Sequence, residues 1–285
     1  MAFNTKSLGV WSPEREFKVT AERTVAYALA TNDANPRHLN GEVAPPVFAV
    51  VPMLETKVLE ESQAGIVPAE FAMRVLHGEQ DIFLHRPITP GHTLRVRACP
   101  IGVSVKHSGT TLVAKIEARD DDGEIVNVQY LTGFFRGATD GMNVGEIAPD
   151  HRLPVGIAET DPLAVVTQHV DGDQTYRYSA ASGDDMTIHL DDEVARSVGL
   201  PGIIAHGLCT MAFTSQVAID QLCQGDPLQL KRIAVRLARP VLPGEDVTTR
   251  LWAAGESNGH SAFAYQTTNA NGDVVVTDGL AEVTK

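Results

Sequence analysis

The chain has 285 residues, 43% of them hydrophobic, with a formal net charge of -13 and an isoelectric point near 5.1. That is enough apolar chain for a sizeable core, in one large domain or two fused small ones, and too acidic a surface for nucleic acid to be the main partner. An anionic small ligand stays open where local basic residues outweigh the global field.

Near the N-terminus, Lys6, Glu14, Arg15, Glu16 and Lys18 leave no apolar segment of signal-peptide form. The run Ala44 to Leu54 is apolar but too short for a bilayer and holds Pro45, Pro46 and Pro52, so no membrane partner is expected. Cys99, Cys209 and Cys223 are odd in number and lack metal-type spacing, which reads as reduced core thiols. Together these features predict a soluble, cytoplasmic protein.

In chain order, a polar loop, Thr31 to His38, precedes an apolar helix expected from about Val47 to Ser62. Alternating segments then predict strands at 80–86, 93–104, 110–120 and 124–135, the last two joined by a hairpin turn at Asp122-Gly123. Residues 137–174, rich in Gly, Pro, Asp and small side chains, read as a linker, with Pro162 to Val166 able to dock on the surface. In the second half, Gly183 frees the backbone for a turn, so Asp184 and His189 are expected on one loop. Asp191 can cap a short helix over 192–198 that Gly199 ends. Pro201-Gly202 precedes a nearly uncharged run, Ile203 to Cys223, read as a buried helix whose first turn presents free amides at Ile204, His206 and Gly207. Strands are expected at 230–239, 246–254, 261–269 and 273–283.

The two halves match in order. The offset is 151 for Asp33 and Asp184 and again for His38 and His189, 153 for Gly91 and Gly244, and 149 for Gly123 and Gly272. A nearly constant offset over three blocks marks a tandem duplication, here 1–136 and 175–285. Each copy reads as a buried helix wrapped by an antiparallel sheet, an α+β fold.

The loop Gly183-Asp184 to His189, followed by Pro201, Ile203, His206 and Gly207, resembles the MaoC-like (R)-specific enoyl-CoA hydratases and 3-hydroxyacyl thioester dehydratases, and the repeat resembles their double-hotdog members. The resemblance implies hydration of a trans-2-enoyl-CoA, or its reverse. Asp184 and His189 would then be the acid-base pair, with Gly207, beside Ile204 and His206, in the pocket for the thioester oxygen. The substrate is an acyl-CoA, with no cofactor and no metal.

The usual Asn-Pro of the loop is replaced by Met186-Thr187, whereas the first copy keeps Asp33, Asn35, Pro36 and His38 and is the alternative catalytic set. That copy reads Pro45-Pro46 where the second reads His206-Gly207, and proline has no amide to offer an oxyanion. The second copy is therefore expected to be catalytic and the first to shape the acyl pocket. Arg232, Arg236 and Arg239, with Lys231 beside them, are candidate contacts for the coenzyme A phosphates. A hotdog thioesterase and a non-catalytic acyl-thioester-binding subunit are the alternative functions, and a homodimer is compatible with the fold.

Overall fold

The computed structural model describes residues 3–72 and 75–285. The first copy runs β1 (Arg15–Lys18), α1 (Ala21–Ala30), α2 (Pro36–Leu39), α3 (Val50–Glu55), α4 (Val58–Gln63), α5 (Ala69–Ala72), β2 (Val75–Leu84), β3 (Thr93–Lys106), β4 (Gly109–Arg119) and β5 (Ile125–Arg136). After a short β6 (Val144–Gly145), the second runs β7 (Ala164–His169), α6 (Gln174–Ser182), α7 (Asp192–Ser197), α8 (Gly207–Leu222), β8 (Leu230–Leu237), β9 (Asp246–Ser257), β10 (His260–Asn269) and β11 (Val274–Val283). The strands form one antiparallel sheet in the order β1-β3-β4-β5-β2-β8-β11-β10-β9-β7, with β6 on β3. This is the α+β double hotdog.

The halves meet where β2 pairs β8, with Ile82 opposite Ile233. Those residues are 151 apart, and so are two other contacting pairs: Tyr27 with Tyr178, whose hydroxyls lie 3.5 Å apart, and Asp81 with Arg232. Equivalent residues touch each other only along an internal twofold axis, so the repeat offset marks that axis. The turns repeat as well. Gly123 and Gly272 both have φ near +80°, and Asp120 and Asn269 each accept two main-chain N–H groups of their turn.

The helices break the symmetry. In α8 eleven residues, from Leu208 to Ile219, are buried, as a helix apolar nearly all round requires. It starts at Gly207 rather than Ile203. The single helix expected over 47–62 is instead a 3-10 turn at Pro46–Ala49, then α3 and α4, broken at Lys57. Pro52 cannot donate within α3, and Lys57 sits in the left-handed region at φ 57°. Glycine takes that conformation without a Cβ penalty, and Lys57 is exposed. Lys57→Gly is therefore expected to raise stability by about 0.5 kcal/mol, net of the entropy that glycine loses. Urea denaturation checks this; a loss of stability would show that α3 and α4 are held apart by something else.

The linker reading also needs correction. Residues 164–169 form β7, which pairs β9 at the sheet edge as β1 pairs β3, and 174–182 form α6, the counterpart of α1. The second copy thus begins near Ala164, not at 175. Among the described residues no helix is long and apolar enough to cross a membrane.

Candidate active site

Helix α6 ends at Gly183 in the left-handed conformation, φ 79°, with its amide bonded to the Ser179 carbonyl at 3.0 Å. Asp184 follows, and its Oδ1 accepts from the Met186 amide at 3.3 Å, a turn that fixes the carboxyl to its own loop. One 3-10 turn, Thr187–His189, carries the imidazole into the interior. Asp191 then caps α7 by accepting from the amides of Glu193 and Val194, and Gly199 ends that helix at φ 86°.

The segment before α8 completes the site. His189 Nδ1 donates to the Ile204 carbonyl at 2.8 Å, which leaves Nε2 as the free lone pair. His206 is the N-cap residue of α8; its Nε2 donates to the Asp184 carbonyl at 3.2 Å, and its ring stacks on His189 with centroids 3.8 Å apart. The Tyr178 ring centroid lies 4.8 Å from that of His206. Nitrogen or carboxylate atoms of Asp184, His189 and His206 all lie within 4.8 Å of one another. That spacing is within the reach of proton exchange between them, and it is also a donor set of the kind that can hold an ion.

Burial sets the protonation states. It pushes the Asp184 carboxyl up from its ordinary value, opposed by His189, and pushes His189 down, opposed by the Ile204 carbonyl and Asp184. Burial, then His189, lowers His206 to about 3. A histidine neutral in the fold but charged when unfolded takes up a proton on unfolding between its two pKa values, so stability falls as pH drops from about 6.5 toward about 3. The expected slope is about 1.4 kcal/mol per pH unit from this residue. Urea midpoints at pH 7.5 and 5 measure it, and His206→Gln should flatten the dependence; an unchanged slope would assign it elsewhere.

At the tip of α8 the amides of Gly207 and Leu208 have no acceptor among the described residues. The absence of a side chain at Gly207 first serves packing: a Cβ there would stand 2.2 Å from Leu237 Cδ1. Close seating of α8 on β8 therefore fixes where those two donors point.

The alternative set in the first copy is arranged differently. His38 Nδ1 is 2.7 Å from Asp33 Oδ2, whose Oδ1 accepts from the Asn35 amide, and His38 is fully buried. Asn35 Nδ2 donates to the Gly225 carbonyl and Arg37 pairs with Asp226, so the chain leaving α8 lies over this loop. At the second loop α3 approaches with its last residue, Glu55, whose Cβ would meet a side chain added at Gly183 at 3.9 Å. Asp33 and His38 are 5% and 0% exposed, whereas Asp184 is half-buried and His189 is 7% exposed, so the second loop is the more open of the two.

The expected phosphate contacts are not brought to the site. Arg232 is 3% exposed, between Asp81 and Glu282, and so cannot meet a carrier phosphate. Leu237 faces α8, so strand alternation puts Arg236 on the opposite face, near Glu79 and Asp278. Arg239 is paired with Asp273 and Lys231 donates to the Leu228 carbonyl. Tyr27 and Tyr178, which wall the site, were not singled out in the sequence, although both are tyrosines at the repeat offset and that coincidence was the available signal.

Two family models match the chain: a MaoC-like domain over residues 155–274 and an MFE-2 hydratase 2 N-terminal domain over 38–137. The chain thus combines a MaoC-like domain in its second half with an MFE-2 hydratase 2 N-terminal domain in its first. Its relatives include the peroxisomal enoyl-CoA hydratase 2 of Arabidopsis thaliana, 32% identical over 64% of this chain and 60% of that protein. A probable enoyl-CoA hydratase 2 of Dictyostelium discoideum is 27% identical over 93% of this chain and 91% of its own length. Among solved structures, a MaoC-like dehydratase from Phytophthora capsici superposes with a TM-score of 0.84 at 26% identity, covering 99% of this chain and 98% of that one. Both loops of the duplicated fold are present, and the less buried one falls within the MaoC-like domain.

Proposed function

We propose that the protein adds water to a trans-2-enoyl-CoA to give the (3R)-hydroxyacyl-CoA, and dehydrates that product in reverse. The observation that carries this reading is the meeting of the Asp184 carboxyl and the free Nε2 edge of His189 in one loop beside the unpaired amides of α8. The names of the Arabidopsis and Dictyostelium relatives agree with the reaction class.

The steps follow from the geometry. The Gly207 and Leu208 amides hold the thioester oxygen and draw charge from the double bond, where one such donor is typically worth about 3 kcal/mol. His189 Nε2 takes a proton from water as its oxygen bonds to the β-carbon. Asp184, kept protonated more readily by its burial, gives a proton to the α-carbon, and the proton on His189 returns to Asp184 to restore the pair. Both groups come from one loop, so water and proton arrive on one face, giving syn addition. The first copy, whose helix breaks after Glu55, would border the acyl chain.

The test is loss of enoyl-thioester absorbance with crotonyl-CoA, with the product then offered to dehydrogenases specific for the (3R) and (3S) alcohols. Oxidation by the (3R)-specific enzyme alone is expected; a (3S) product, or release of free thiol without loss of the double bond, would overturn the reading. Because hydration needs neutral His189, whose pKa is lowered by burial, kcat/KM should fall with acid only below the ordinary imidazole value of about 6.5. A pH-rate profile checks this, and an acid limb above that value would remove His189 from the role of base.

A further inference from the structure

Arg232 is buried and Arg236 and Arg239 each face a carboxylate, so other parts of the surface compete with them for the carrier's phosphates. Two clefts are candidates. One, of about 310 Å³, is bounded by Ile203 and Gly202 and contains a single cation, Arg196, whose Nε is tied to Asp192 at 2.7 Å. The other, of about 450 Å³, lies between β1 and the end of α3 and is lined by Arg15, Lys18 and Arg23 together with Glu16, Glu55 and Phe17.

The second cleft has the chemistry for phosphate. Its lining groups three cations with two carboxylates, and Glu61 beside it pairs Arg15, so the cleft is about neutral on a chain whose net charge is -13. Lys18 has no ion pair among the described residues, and Arg15 spends only Nη2 on Glu61 at 2.8 Å. Arg23 is held by both oxygens of Glu55 and lies over the Phe17 ring, 4.6 Å from its centroid, which fixes the wall. The cleft lies toward the second loop: Glu55, in its wall, would meet a side chain added at Gly183, the residue before Asp184, and α1 carries both Arg23 and, one turn on, Tyr27, which contacts Tyr178.

We propose that this cleft binds the phosphates of the coenzyme A thioester, so that the first copy grips the carrier while the second performs the chemistry. The inference rests on the hydration reading, which supplies the thioester. Exposed charge pairs are individually weak, so Arg15 and Lys18 are best removed together.

The experiment compares wild type with the double variant Arg15→Ala and Lys18→Ala on crotonyl-CoA and on crotonyl-pantetheine, which lacks the phosphates. KM for crotonyl-CoA is expected to rise about tenfold with kcat nearly unchanged, and the difference should shrink at about 0.5 M salt. Crotonyl-pantetheine should not distinguish the two proteins. Equal shifts with both substrates, no shift with either, or a shift produced instead by Arg196→Gln would overturn the proposal. So would a rise in KM confined to the crotonyl thioester of acyl carrier protein, which would make the cleft a protein-docking surface. Calorimetry with free coenzyme A separates this inference from the hydration reading: weaker binding to the double variant supports the cleft even if wild type turns over no enoyl thioester, and equal binding refutes it.

Discussion

Asp184→Asn is expected to lower kcat for crotonyl-CoA hydration by about 10²- to 10⁴-fold, because the amide cannot deliver the proton that the α-carbon needs. Its oxygen can still accept from the Met186 amide, so the loop keeps its turn and the loss belongs to chemistry rather than folding. Asp33→Asn is the informative partner. It disrupts a buried 2.7 Å contact with His38, and its expected cost is about 1–3 kcal/mol of stability with kcat changed little. Measuring kcat and urea midpoints for both variants decides which copy works: the opposite pattern, with chemistry lost at Asp33, would move the active site to the first copy.

Arg232→Met is expected to cost about 3–5 kcal/mol of stability near pH 7, since it strands Asp81 and Glu282, both about 1% exposed, without their cation. The sign with pH separates this from lost packing. Two buried carboxylates without a counter-charge hold their pKa values above those of the unfolded chain, so the deficit should shrink as falling pH protonates them. Denaturation at pH 7.5 and pH 5 measures the difference. The triple variant Asp81→Leu, Arg232→Met, Glu282→Leu should recover much of the loss, as apolar replacements of buried ion clusters often do. A deficit independent of pH would mean that the methylene stem of Arg232, whose guanidinium lies over the Phe83 ring, matters more than its charge.

The duplication was legible because its markers are local. Asp122-Gly123 and Asn271-Gly272 dictate their turns by glycine conformation, and alternating strands announce a period of two. The Asp191 cap and the Gly199 stop were legible for the same reason. What sequence left obscure depends on contacts across the fold. Helices α1 and α6 are short and mixed in polarity, and they are held by their mutual contact through Tyr27 and Tyr178. The start of β2 is hidden by Gly78, where the pairing with β5 slips by one residue, so the alternation fails. In the site, the meeting of Asp184 and His189 could be expected from a loop of six residues, but the stacking of His206 on His189 required the 201–206 segment to fold back. Arg232 misled because a run with Lys231, Arg232, Arg236 and Arg239 looks solvated until the partner strand supplies Asp81.

The contact of Asp81 with Arg232 has a consequence for descent. Two identical subunits must present the same side chain at matching places on their twofold, and there a carboxylate would face a carboxylate or a guanidinium a guanidinium. Opposite charges at equivalent positions exist only once the two copies are free to differ in sequence. Either half paired with its own twin would bury a repulsive couple, so the duplicated gene has lost the way back to a symmetric ancestor.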